Sequence, residues 1–72
     1  MIKSQIGTNA GIVWRTLNAS HCKMTTNDLK TKTQLTENEI LMALGWLARE
    51  GQVVTIEESG MMYFSTYYEM YY

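Results

Sequence analysis

Thr36-Glu37-Asn38-Glu39-Ile40-Leu41-Met42-Ala43-Leu44-Gly45-Trp46-Leu47-Ala48-Arg49-Glu50-Gly51-Gln52-Val53 is the stretch that decides the fold. Thr36, with Glu39 three residues later, has the capping-box pattern: each side chain satisfies a backbone N–H that the first helical turn leaves without a partner. Ile40, Ala43, Leu44 and Leu47 recur at three- and four-residue steps, which predicts one apolar stripe along a helix. Gly51 can take the left-handed conformation that ends a helix, and Val53 opens the next element. A capped helix, a glycine stop and a strand are therefore expected in immediate succession.

Upstream of this helix the pattern predicts two more. The first covers about residues 8–19, with Ile6, Ala10, Val13, Trp14 and Leu17 on one side and Asn9, Arg15, Thr16 and Asn18 on the other. Gly7 and Gly11 each weaken a helix interior by about 1 kcal/mol, so a close packing contact is expected at Gly11. His21-Cys22-Lys23-Met24 reads as a short extended segment. Thr25 then caps a helix over residues 26–33, with Asp28 favourably near its N-terminus and Leu29 as its core residue. Gln34-Leu35 forms the turn, and Leu35 plugs the junction between the second and third helices.

Downstream, Val53-Val54-Thr55-Ile56 is rich in β-branched residues, Glu57-Glu58-Ser59-Gly60 is a turn candidate, and Met61-Met62-Tyr63-Phe64-Ser65 is the returning strand. The alternation in these strands is too imperfect to say which faces point inward. The element order is α, short β, α, α, β, β. This predicts a small α+β domain over residues 1–66, followed by an aromatic tail over residues 67–72. Three helices with a short strand and a two-stranded hairpin in this order make a winged helix-turn-helix.

The chain has 72 residues and a net charge of −1. A domain this small buries only about 60% of the surface its unfolded chain exposes, and dimerisation would be one way to bury more. Cys22 is the single cysteine. It excludes an internal disulfide and fits a reducing cytoplasm. Neither a signal-peptide pattern nor an apolar run long enough for a membrane span is seen, so a cytoplasmic protein is expected. Charge is unevenly spread. Residues 1–35 carry five basic side chains against Asp28, whereas residues 36–72 carry Arg49 against six glutamates. Lysine and arginine at phosphates supply essentially all non-specific DNA affinity, so an acidic third helix and wing argue against a strong generic DNA binder.

Two stretches carry a family likeness: Ile6-Gly7-x-x-Ala10-Gly11-x-Val13-Trp14-x-x-Leu17-Asn18 and Ala43-Leu44-Gly45-Trp46-Leu47-Ala48-Arg49-Glu50-Gly51. On these the chain resembles a family of short bacterial winged helix-turn-helix proteins of uncharacterised function, from Ile6 to about Ser65. The resemblance implies the fold and a DNA-binding label inherited from it, with no established ligand or reaction. The tyrosine-rich tail lies outside it.

Within a helix-turn-helix, the first residues of the recognition helix reach base edges and the preceding helix lies against the backbone. That nominates Thr36, Asn38, Leu41, Met42 and Gly45 for base contacts, with Asn38 alone able to make a two-bond contact to adenine. Thr25, Thr26, Lys30 and Lys32 are nominated for phosphates. The bland reading is that Thr25 and Thr36 are helix caps and the lysines a solvated face. Met42 and Trp46 are one turn apart with Arg49 near them, a composition enriched at protein interfaces. Together with Tyr68 and Tyr71 of the tail they form the candidate protein interface. Alternatively, Trp46 folds back onto the wing or the tail as core, or meets a base or sugar.

Adjacent His21 and Cys22 point to opposite sides of an extended segment, which disfavours a nucleophile–base pair. A small buried cysteine beside a surface histidine is expected. No metal site, cofactor or enzymatic activity is expected either, since two ligands do not complete a tetrahedral centre and no phosphate-binding glycine loop is present. The first functional expectation is a DNA-binding or transcription-associated protein acting on double-stranded DNA. The second is a protein-association or homodimerisation module on the same scaffold.

Overall fold

The computed structural model describes residues 3–66 of the chain. Helix α1 spans Lys3–Ser20, α2 Thr26–Thr33 and α3 Glu37–Arg49; strands β1, Val54–Glu58, and β2, Met61–Ser65, form an antiparallel hairpin. The three helices and the hairpin expected from the sequence are all present. The short strand between α1 and α2 is reduced to one bridge, Met24 against Phe64, held by N–H···O bonds of 3.0 and 2.8 Å in both directions.

Both capping boxes form. Thr36 Oγ1 accepts from the Glu39 N–H at 3.2 Å, and Glu39 Oε1 accepts from the Thr36 N–H at 2.8 Å. Thr25 and Asp28 repeat the arrangement at α2, each bond 3.1 Å long. At the far end of α3, Gly51 sits at φ 71°, and the N–H groups of Gly51 and Gln52 close onto Ala48 and Leu47. Helix α2 stops at Gln34, which is left-handed at φ 65° without being glycine.

Helix α1 starts a full turn earlier than the apolar stripe indicates. Its first turn brings half-buried Ile6 into the helix, above Ala10 on the packed face. Asn9, assigned to the solvent side, is instead buried at 8% exposure, because it falls beside Val13 on the packed face. The close contact expected at Gly11 is not found: a Cβ there would meet only the flexible end of Arg15, at 3.3 Å.

One core joins the helices to the base of the hairpin. Val13 and Leu17 of α1, Leu29 of α2, and Ile40, Ala43, Leu44 and Leu47 of α3 close over Met24, Val53 and Phe64, with Trp14 and Leu35 packed at the edge. Leu35 thus occupies the junction expected of it. The hairpin turn is two residues, shorter than the four expected: Ser59 and Gly60 are both left-handed, at φ 52° and 78°, and Glu57 and Glu58 pair with Met62 and Met61. At the base of the hairpin Phe64 and Ser65 are both buried, while at its tip Met61 and Met62 are both exposed. A strand buried on both faces at one end and on neither at the other has no clean period of two, which is why the sequence does not settle its facing.

Candidate interaction surface

With Ile40, Ala43, Leu44 and Leu47 turned into the core, the rest of α3 faces solvent. Asn38, Met42, Gly45 and Arg49 lie along the centre of the outward face at three- and four-residue steps. Leu41 and Trp46 lie on opposite flanks, about 140° apart at 100° per residue. Leu41 is 48% exposed, Met42 45% and Trp46 36%. Trp46 therefore does not fold away as core among the described residues. Gly45 stands in the middle of this face, and a Cβ placed on it meets nothing within 4 Å. No packing among the described residues explains a glycine there, although it weakens the helix by about 1 kcal/mol relative to alanine.

One ion pair ties α3 to α2, and a second ties the segment before α2 to the hairpin. Lys30 on α2 reaches Glu37 at 3.5 Å across the helix-turn-helix corner. Lys23 pairs with Glu58 and stands 5.0 Å above the Tyr63 ring, tying the segment before α2 to the outer face of the hairpin. Lys32 and Arg49 make no ion pair among the described residues. On the other flank an open groove of about 590 Å³ runs between the first turn of α2 (Thr25–Asp28), Leu41, and the Gly60–Met62 end of the hairpin, with Phe64 among its lining residues.

A short helix, a three-residue turn, a capped second helix with an exposed outer face and a hairpin directly after it follow one another in the chain, and comparison with known proteins agrees with that arrangement. The family model described as the winged helix-turn-helix domain (DUF2582) matches residues 1–66. The chain belongs to this winged helix-turn-helix family. A protein of Bacteroides thetaiotaomicron, solved by solution NMR, is 34% identical over 92% of this chain and 79% of its own, with a TM-score of 0.80. A structure of HOP2, described by its DNA recognition and protein interaction domains, superposes with a TM-score of 0.71 over 82% of this chain and 98% of its own; at 19% identity it shows the fold alone. No curated protein matches the chain.

The winged-helix geometry separates the residues nominated from the sequence. Thr36, Asn38, Leu41, Met42 and Gly45 are all exposed on α3, as a recognition helix requires. Thr25 and Thr36 are both helix caps, their hydroxyl oxygens accepting the N–H groups of Asp28 and Glu39. Each keeps its hydroxyl proton to donate. Thr26 and Lys30 are half-buried at the start and middle of α2, and Lys32 is exposed. Met42, Trp46 and Arg49 share one continuous stretch of surface. Tyr68 and Tyr71 lie outside the described residues.

The cysteine expectation is corrected. Cys22 is exposed, because left-handed His21 (φ 57°) ends α1 and turns the chain through a bend in which the Ser20 hydroxyl donates to the Cys22 carbonyl at 3.2 Å. Inward packing resumes only at Met24. The Lys23–Glu58–Tyr63 cluster and the groove at Met61 and Met62 escaped sequence reading. Both depend on strand register, which is set here by a turn two residues shorter than expected and by strands without a clean alternation. Among the described residues there is no group of three metal-ligating side chains, and no helix is long and apolar enough to cross a membrane.

Proposed function

We propose that this winged helix is a non-catalytic, cytoplasmic protein-association module that uses the outward face of α3, with a second copy of the chain as the partner to test first. The observation that carries this reading is the Met42–Gly45–Trp46 surface. Two large apolar side chains stand beside an exposed glycine that lets another backbone approach closely. A surface built to read DNA would place arginine, lysine or asparagine there, and α3 offers Asn38 and Arg49 among acidic neighbours.

Sedimentation velocity on the full chain tests it. Trp46→Ala is expected to shift the assembly to monomer with an unchanged circular dichroism spectrum. Gly45→Ala separates structure from contact: it is expected to raise helix stability by about 1 kcal/mol while weakening association. A wild-type chain that is monomeric at all concentrations would remove self-association from the proposal.

DNA binding is the second reading, favoured by the common use of this fold and by exposed Thr36 and Asn38 in the first turn of α3. If Lys30 and Lys32 both neutralise phosphates, the affinity for a labelled random-sequence duplex should fall with a log–log salt slope of about −1.8. Lys30→Glu with Lys32→Glu should then abolish binding, whereas unchanged affinity would remove this docking pose.

A further inference from the structure

We propose that the groove between α2, Leu41 and β2 takes an extended peptide segment of another protein as an added strand on the outer edge of β2, with an apolar residue over Phe64 and a Lys or Arg beside it. This surface is distinct from the Met42–Trp46 face, and the proposal does not rest on that reading.

Phe64 donates to and accepts from Met24, so its N–H and C=O point away from β1. In an antiparallel pair residues alternate between inward and outward bonding, so Met62, two residues earlier on the same strand, points the same way. Met24 supplies only one rung, because the chain turns into the capped first turn of α2 at Thr25 and Thr26. The ladder that Met24 begins is thus left open at Met62, and the space beside it is the groove.

Its walls suit a peptide. Leu41, Met61 and Met62 are 48%, 50% and 51% exposed around an apolar base at Phe64. An added strand would lie about 4.8 Å from β2 and would cover Leu41 and Met62 with one inward side chain. The charge is also complementary to a basic segment. Asp28 lines the groove with no basic residue beside it, and Glu57 stands opposite Met62 in the hairpin register. The same balance opposes a nucleic-acid phosphate in this position.

The test is selection of a displayed library of random decapeptides against the full chain, followed by affinity and amide-exchange measurements. Selected peptides are expected to pair apolar residues with Lys or Arg and to slow exchange of the Met62 N–H. They should bind Met62→Pro about tenfold more weakly, the effect of one interchain hydrogen bond. Proline is tolerated at Met62 only because its N–H faces away from β1. Leu41→Ser, at an exposed position, removes apolar contact without adding charge; it is expected to weaken binding with the fold intact and decides the matter if the proline variant misfolds. The proposal is overturned if no peptide is selected, if selected peptides bind wild type and Leu41→Ser equally, or if they protect Met42 and Trp46 instead of Met62.

Discussion

Gln34 holds a left-handed backbone at φ 65° where a side chain crowds the following carbonyl, and its amide compensates by donating to the Thr31 carbonyl at 2.9 Å. Gln34→Gly is expected to raise unfolding free energy by about 0.5 to 1 kcal/mol, read as a higher urea midpoint at constant m-value. Gly51 occupies the same region of backbone space at the end of α3 and was legible as a stop, whereas Gln34 was legible only as a turn. Side-chain burial followed a similar division. Ile40, Ala43, Leu44 and Leu47 were readable from their spacing because all four repeat one helical face. Trp46 was not, since spacing assigns a side chain to a flank but says nothing of whether another element covers that flank. Cys22 and Asn9 failed for opposite reasons: a small apolar residue went outward at a bend, and a polar one went inward beside Val13.

Among the elements, the capped helices were the most legible, because a capping box is a local chemical arrangement that needs no tertiary partner. Thr36→Ala removes the acceptor for the Glu39 N–H and is expected to lower stability by about 1 kcal/mol. The measurement is a chemical denaturation curve beside that of Thr36→Ser, which keeps the oxygen and should stay near wild type. The sequence that leads into α1 lacks the capping-box pattern, and the helix start at Lys3 was missed for that reason. The hairpin was legible as two strands and a turn, but its register was not. Tightening the turn to Ser59-Gly60 moves Glu57 and Glu58 into β1 and sets which backbone groups of β2 face the groove. The candidate groove was therefore invisible in the sequence, while the α3 face was half visible.

At the scale of the whole molecule, charge and topology act together. The basic N-terminal half and acidic C-terminal half meet at Lys23–Glu58 and Lys30–Glu37, so part of the asymmetry seen in the sequence is neutralised internally. Exposed pairs of this kind contribute about 0 to 1 kcal/mol each, too little to decide the fold, but they draw Lys23 and Lys30 towards carboxylates. Stability rests instead on the shared core, of which Phe64 is the hairpin's main anchor. Phe64→Leu is expected to cost about 1 kcal/mol and, if the wing docks after the transition state, to appear as about fivefold faster unfolding with little change in the refolding rate. Stopped-flow denaturant jumps on both limbs would show it. The Met24–Phe64 bridge gives that order its reason. It joins positions about 40 residues apart, so the entropy of closing that loop must be met before the bridge returns anything. The hydrogen bonds within each helix close only short loops, so the helices can form before it. On a ribosome, Met24 is joined to the chain about 40 residues before Phe64, so the wing seam stays open until nearly the whole of that stretch has been synthesised.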